Sequence, residues 1–431
     1  MTLPSISRLL PPAALLTLSS FLATGCTGES GGRELTLRIT PLEMPAGEGS
    51  GEPNLARHGE RVILSWLQAA PEGGHDLWVS LGNGGAWSEP RHVAYGDDFF
   101  VNWADFPSVR GSAGGRLWAH WLQRGAAGGM DYGIRISHSD DDGRSWSEPW
   151  TPHEDESPTE HGFVTLLPVP PSAVSEGGES SSAPARMAAL WLDGRKYAPA
   201  EDGTPPAREM TLRARFFTPQ NRGTEMVVDA RTCDCCQTDA ALTPSGPVVV
   251  YRDRTEDEVR DIYLSRFEDG TWTEGHPVFE DGWVIGGCPV NGPAVTAWGD
   301  SVAVAWFSAP DNQPRVQVAV SGDAGDTFAP PVRVDGGAPA GRVDLVRMAD
   351  GHLLVSWMER VGEEGAYLRV ARLDSQGAFR GAGTVTSTSA SRSAGFPRMV
   401  PLPGGGVLIA WTDVSDPSAP RIHGAIVEVP S

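Results

Sequence analysis

Three cysteines crowd into Thr232-Cys233-Asp234-Cys235-Cys236-Gln237, and a fourth, Cys288, stands in Gly287-Cys288-Pro289. In an exported chain an even set of this kind reads first as disulfides, and four cysteines allow three pairings. Bridging the adjacent Cys235 and Cys236 would strain the link. The expectation is therefore Cys288 with Cys235 or Cys236, and Cys233 with whichever remains. Two other chemistries stay open at this cluster. One is a thiolate site soft enough for copper(I) or zinc, with His161 as an added ligand. The other is a redox-active pair. No cofactor is the favoured expectation.

A second set of polar residues recurs two positions past an aromatic residue. It reads Gln68, Gln123-Arg124, Asp193-Gly194-Arg195, Asp253-Arg254, Ser308, Glu359-Arg360 and Asp413. Arg forks suit carboxylate or sulfate ligands, and paired carboxylates suit glycoside chemistry. The competing reading is a set of solvated loop charges that pair with one another.

The elements that carry these residues come from a repeat. An apolar run ending in an aromatic residue recurs seven times, at Trp66, Trp121, Trp191, Tyr251, Trp306, Trp357 and Trp411, spaced 51 to 70 residues apart. The longest spacing holds an insertion at about 168–184, rich in Pro, Ser, Gly and Glu. A short strand and a turn precede each run, an alternating strand follows it, and a fourth strand follows in most copies. The last copy runs out of chain after its third strand. The alternation Leu35-Leu37-Ile39 can supply the missing one and close a ring. Four strands per unit at this period predict an all-β propeller of seven blades, with six as the fallback, over residues 34–431. Closure removes free strand edges. Loops entering a first strand and loops joining second to third strands then meet at one mouth. The four cysteines and His161 fall there, as does the acid–Arg set. Tyr251 replaces the repeat Trp and reads as packing.

Between third and fourth strands lie Ser139-Asp140-Asp141-Asp142-Gly143-Arg144-Ser145-Trp146 and Ser321-Gly322-Asp323-Ala324-Gly325-Asp326-Thr327-Phe328. Asp would bond local N–H groups, Gly would take a positive φ, and the aromatic residue would plug the gap between strands. This Asp-box pattern resembles the sialidase (neuraminidase) superfamily of propellers. The resemblance implies an exo-glycosidase, with glycans or other small anionic ligands as partners. It implies an Arg cluster for a substrate carboxylate, for which Arg124, Arg254 and Arg360 are the candidates. It implies an acid/base Asp, placed at Asp105 in Asn102-Trp103-Ala104-Asp105-Phe106-Pro107, and a nucleophile, placed at Asp253 or Glu359. The alternative function is a non-catalytic propeller that binds a ligand, protein or metal through Cys233, Cys235, Cys236 and Cys288.

Arg8, the apolar stretch from Leu9 to Leu22, and Ala23-Thr24-Gly25-Cys26 make a secretory signal over residues 1–25. The ending resembles a bacterial lipobox, which implies cleavage before Cys26, lipidation of that residue and a tether over 26–33. Thr27 in place of Asp favours the outer membrane. Membrane contact is then through the lipid anchor alone. Acidic residues outnumber Lys and Arg by 55 to 34, and this excess excludes general nucleic-acid binding.

Overall fold

The second strand of every repeat is a nearly unbroken apolar run, such as Val62-Ile63-Leu64-Ser65-Trp66. Such a run suits a strand covered on both faces. The computed structural model, which describes residues 33–170, 185–199 and 205–430, gives these strands that position. Trp66, Trp191, Trp306 and Trp357 are all 1% exposed or less. The signal segment, Cys26 and most of the tether lie outside the described residues, as does the insertion from 171 to 184. Pro168 and Val169 still belong to a strand, paired with Met187 and Arg186.

Seven sheets follow one another along the chain. Blade one runs Ser50–His58, Arg61–Ala69, His75–Gly82 and Arg91–Gly96. The inner strands of blades two to seven are Ser108–Gly111, His161–Val169, Asp239–Thr243, Ala294–Trp298, Pro339–Arg347 and Arg398–Pro401. Blade two has three full strands, and its fourth is reduced to the Ile136–Trp150 pairing. Blade seven is closed from the other end of the chain. Arg38–Leu42 pairs antiparallel with Arg421–Glu428, so the N-terminal strand supplies the missing fourth. The protein is a seven-bladed β-propeller.

Seven apolar cores lie among the described residues, one between each pair of adjacent blades. The last joins Leu55, Val62 and Leu64 of blade one to Val400, Leu408 and Ala410 of blade seven, and so seals the ring. Around the channel, polar side chains staple the entering segments of blades two to seven to one another. Asp105 accepts Phe163 N–H at 2.7 Å, Asp239 accepts Val295 N–H at 2.8 Å, Asn291 accepts Arg342 N–H at 2.7 Å and Asp344 accepts Met399 N–H at 2.6 Å. The Thr165 hydroxyl donates to Thr238 O at 2.7 Å. Inner strands too short to pack side chains on one another are held by these acceptors.

The two acidic turns have the expected build. Asp141 accepts Ser145 N–H at 2.9 Å and Asp323 accepts Thr327 N–H at 2.9 Å, with Gly143 at φ 89° and Gly325 at φ 90°. Trp146 and Phe328 pack against inter-blade cores.

Candidate functional site

Asp105 lies in the loop that enters blade two, at the channel mouth. It is 3% exposed and faces a cavity of about 170 Å³ that the channel shares with Asn54, Arg110, Gln237 and Arg398. One carboxylate oxygen takes the Phe163 N–H, and the other takes the Tyr132 hydroxyl at 3.0 Å. Burial pushes the Asp105 carboxyl up to about 7, against the pull of those two donors.

Tyr132 begins the third strand of blade two, which runs Tyr132–Ser139. Its ring is 1% exposed and stacks on Phe100, with centroids 3.8 Å apart and planes within 7°. Its backbone pairs with Glu160, at the entrance of blade three. The Glu160 carboxyl acts electrostatically on the same hydroxyl. Burial first, then the charges of Asp105 and Asp234, push the Glu160 carboxyl up to about 8. Gly162 makes this approach feasible. A Cβ there would sit 2.1 Å from an Asp105 oxygen and 2.7 Å from the Tyr132 ring. The result is a phenol held between two carboxyls that exchange protons near neutral pH. Such a set can donate or accept a proton at a reacting oxygen.

The other predicted site residues have different neighbours. Asp253 is 8% exposed, and burial and the Asp229 charge push it up to about 7. Arg254 is bound to Glu258 at 2.8 Å and to Asp234 at 3.1 Å. Arg124 lies over the Phe100 ring at 4.9 Å, on the far side of the aromatic pair from Asp105. Arg360 is exposed and lines a groove with Glu364, Ser391 and Asp413. Glu359 accepts the indole N–H of Trp357 and the backbone N–H of Ala338, the latter at 2.8 Å. Asp105 enters blade two, Asp253 directly follows the second strand of blade four, and Glu359 lies within the second strand of blade six. No hydrogen bond or ion pair among the described residues links them.

The recurring polar position thus has a packing role in several blades. Gln68 accepts Trp66 Nε1–H at 3.2 Å, and Asp193 accepts Trp191 Nε1–H at 3.1 Å, just as Glu359 does for Trp357. Tyr251, in place of a Trp, donates its hydroxyl to Asp229 at 2.6 Å and is buried, as packing requires.

Tyr132 and Glu160 were not singled out by sequence. One opens a third strand of blade two and the other precedes a first strand of blade three. Their meeting depends on the closeness of neighbouring blades. The entering position, shared by Asp105 and Glu160 in adjacent blades, was the one signal available.

Two groups of residues bring ligand-type atoms together. In Asp155, His161 and Asp193, the His161 Nε2 lies 3.0 Å from Asp155. Arg195 already occupies Asp193 through Nε at 2.6 Å and Nη2 at 2.7 Å, and His153 stacks on His161 at 4.0 Å. In the cysteine cluster, Cys235 is bridged to Cys288, one of the two expected pairings. Cys233 and Cys236 are free thiols, buried, with Sγ atoms 3.3 Å apart. Just after blade three's second strand, Tyr197 donates its hydroxyl to Asp234 at 2.7 Å.

No family model matches the sequence, and no curated protein matches it either. Solved structures do. Polysaccharide lyase Uly1 is similar at 8% identity and a TM-score of 0.51, covering 92% of this chain and 100% of that one. A protein of unknown function from Dyadobacter fermentans is similar at 13% identity and a TM-score of 0.49, covering 93% and 100%. The phage phi92 endosialidase is similar at 8% identity and a TM-score of 0.48, covering 92% and 70%. At these identities the likeness is one of architecture, held in common with solved structures that include a polysaccharide lyase and an endosialidase.

Proposed function

We propose that this propeller acts on glycans, cleaving a glycosidic bond at the channel mouth with proton transfer by Asp105, Tyr132 and Glu160. The observation that carries this reading is the Tyr132 hydroxyl on Asp105 at 3.0 Å, with Glu160 beside it. Both carboxyls are held near neutral pH in their affinity for protons, so one can be protonated while the other is not. That division of labour is what glycoside hydrolysis asks of a pair of carboxyls. The resemblance to sialidases and the likeness to polysaccharide lyase Uly1 agree with a carbohydrate substrate.

The test uses the whole chain against sialylated and uronate-bearing oligosaccharides, with product release read by mass spectrometry. Tyr132→Phe keeps the ring on Phe100 and removes only the hydroxyl. Cleavage should fall about 100-fold or more, with the melting temperature nearly unchanged. Full activity in that variant would remove Tyr132 from the site.

The competing reading is a lectin-like propeller without turnover, and it is favoured by the near-complete burial of Tyr132 and Asp105. Saturable glycan binding with no product from any substrate would establish it.

We also infer that the chain is exported and held at the outer membrane by lipid on Cys26. Cys26→Ser should move the protein from the membrane fraction to the soluble fraction and abolish incorporation of labelled palmitate. A membrane-bound Ser variant would refute the anchor.

A further inference from the structure

The cysteine cluster is graded in exposure. Cys233 and Cys236 are each 1% exposed, Cys235 is half-buried, and Cys288 is exposed. The Sγ atoms of Cys233, Cys235 and Cys236 all lie within 4.8 Å of one another. Cys235 belongs to the bridge with Cys288, so a dithiol and a disulfide are in contact. The buried end is cationic. Arg260 Nη1 donates to Cys233 Sγ at 3.3 Å, and the buried Arg252 guanidinium adds its charge near the same sulfur.

We propose that the four cysteines form a thiol–disulfide relay, which passes reducing equivalents from the buried Cys233/Cys236 pair through Cys235–Cys288 to a disulfide-bearing substrate at the mouth. This inference stands apart from the glycan reading, because it uses none of Asp105, Tyr132 or Glu160.

The steps balance. The Cys233 thiolate attacks Cys235 Sγ; the Cys233–Cys235 bond forms, the Cys235–Cys288 bond breaks, and Cys288 leaves as a thiolate. Cys236 loses its proton to solvent and attacks Cys233 Sγ, closing Cys233–Cys236 and releasing Cys235 as a thiolate. To this point no oxidant is consumed, since one disulfide has replaced another. The exposed Cys288 thiolate then attacks the substrate disulfide, forming a mixed disulfide and expelling one substrate thiolate. Cys235 attacks Cys288 Sγ, restores Cys235–Cys288 and expels the second. Solvent takes the Cys236 proton and supplies the protons that the two substrate thiolates pick up. The buried pair is oxidised and the substrate disulfide is reduced.

The electrostatics agree with this direction. The Cys236 hydrogen bond, with the Arg252 and Arg260 charges, holds the Cys233 thiol down at about 6, while burial pushes Cys236 up. The Arg260 guanidinium on Cys233 Sγ favours the thiolate at this sulfur, as the first step requires.

The experiment starts from the full chain, purified without reductant or chelator. Acid quenching, alkylation and peptide mapping should find Cys235–Cys288 and Cys233–Cys236 as alternative single bridges in one preparation. Mixing with an aromatic disulfide reagent should release two reagent thiols per chain and leave both bridges closed. In Cys236→Ser the relay should stall at Cys233–Cys235, with Cys288 alkylated. In Cys235→Ser/Cys288→Ser the buried pair loses its outlet, and reagent-thiol release should slow about 10-fold or more. An unchanged rate in the double variant would mean direct attack on the buried pair and would overturn the relay. Wild-type protein with both bridges permanently closed would overturn it too. So would an invariant Cys235–Cys288, or copper or zinc bound in stoichiometric amount to the free thiols. The mapping needs no variant, so a variant that fails to fold leaves the test intact.

Discussion

Asp105→Asn should lower glycan cleavage by about 10²–10⁴-fold, the range that a positioned proton donor or acceptor contributes. The substitution is nearly isosteric. The Asn carbonyl can still accept the Phe163 N–H, and its amide can still meet the Tyr132 oxygen, so the staple between blades two and three survives. Only the capacity to carry a proton is lost. The pH dependence of stability gives a second readout. Burial raises the Asp105 carboxyl to about 7 in the folded chain, against an ordinary value near 4. The folded state then binds the extra proton between these limits. The stability it contributes is complete below about pH 4 and is lost as pH rises through about 7. Wild-type protein should therefore melt lower at pH 8 than at pH 5, with a slope of up to roughly 1.4 kcal/mol per pH unit from one such group. Asp105→Asn should reduce that slope without abolishing it, because Asp253 at about 7 and Glu160 at about 8 titrate in the same sense. A variant with normal turnover, or with the wild-type slope, would move the proton chemistry elsewhere.

The propeller was legible because its repeat puts the same residue type at the same structural place. Trp66, Trp191, Trp306 and Trp357 mark second strands that are covered on both faces, so an unbroken apolar run was a reliable sign. The ring closure was legible for a complementary reason. The seventh third strand has almost no chain after it to serve as a partner, which demanded a strand from elsewhere, and the alternation ending at Ile39 was in reach. The disulfide was half legible. Strain excluded Cys235–Cys236, but nothing local separated Cys235 from Cys236 as the partner of Cys288.

Some of the polar residues two past each aromatic have a packing role that the repeat pattern also contained, and the reason is elementary. Side chains at i and i+2 of a strand share a face. Gln68, Asp193 and Glu359 therefore lie beside Trp66, Trp191 and Trp357 and accept their indole N–H groups. A buried indole needs such a partner. A strand pattern taken to its end assigns these three acceptors to packing against the indoles. Tyr132 and Glu160 are the opposite case. Their chemistry arises from contact between blades, and a one-dimensional repeat carries no record of which entering loop faces which third strand.

Arg252→Met should destabilise the propeller by about 3–5 kcal/mol, the usual consequence of removing one partner from a buried charged network. Against a total of about 5–15 kcal/mol for a folded domain, that is a large share. The guanidinium is 2% exposed and spans three backbone carbonyls. Nη1 donates to Arg260 O at 2.6 Å, Nη2 to Asn291 O at 2.8 Å and to Phe307 O at 2.7 Å, and Nε to Asn291 O at 3.1 Å. These carbonyls belong to blades four and five, so one side chain ties the inner loops of both. The group also lies 5.0 Å from the Trp283 ring centroid, and its charge faces Asp261 and Cys233. Met fills much of the space but leaves three carbonyls without a donor and a buried acid without its cation. Arg252→Lys keeps the charge, yet a point ammonium cannot span the three acceptors as a planar fork does, so its loss should be intermediate. Urea unfolding of both variants at pH 7 measures the difference. Alkylation of Cys233 in the folded Met variant should be slower than in the wild type, because the substitution removes the Arg252 charge that favours the Cys233 thiolate. A loss below about 1 kcal/mol, the usual contribution of a single neutral hydrogen bond, would show that water replaces the guanidinium and that blades four and five do not depend on it.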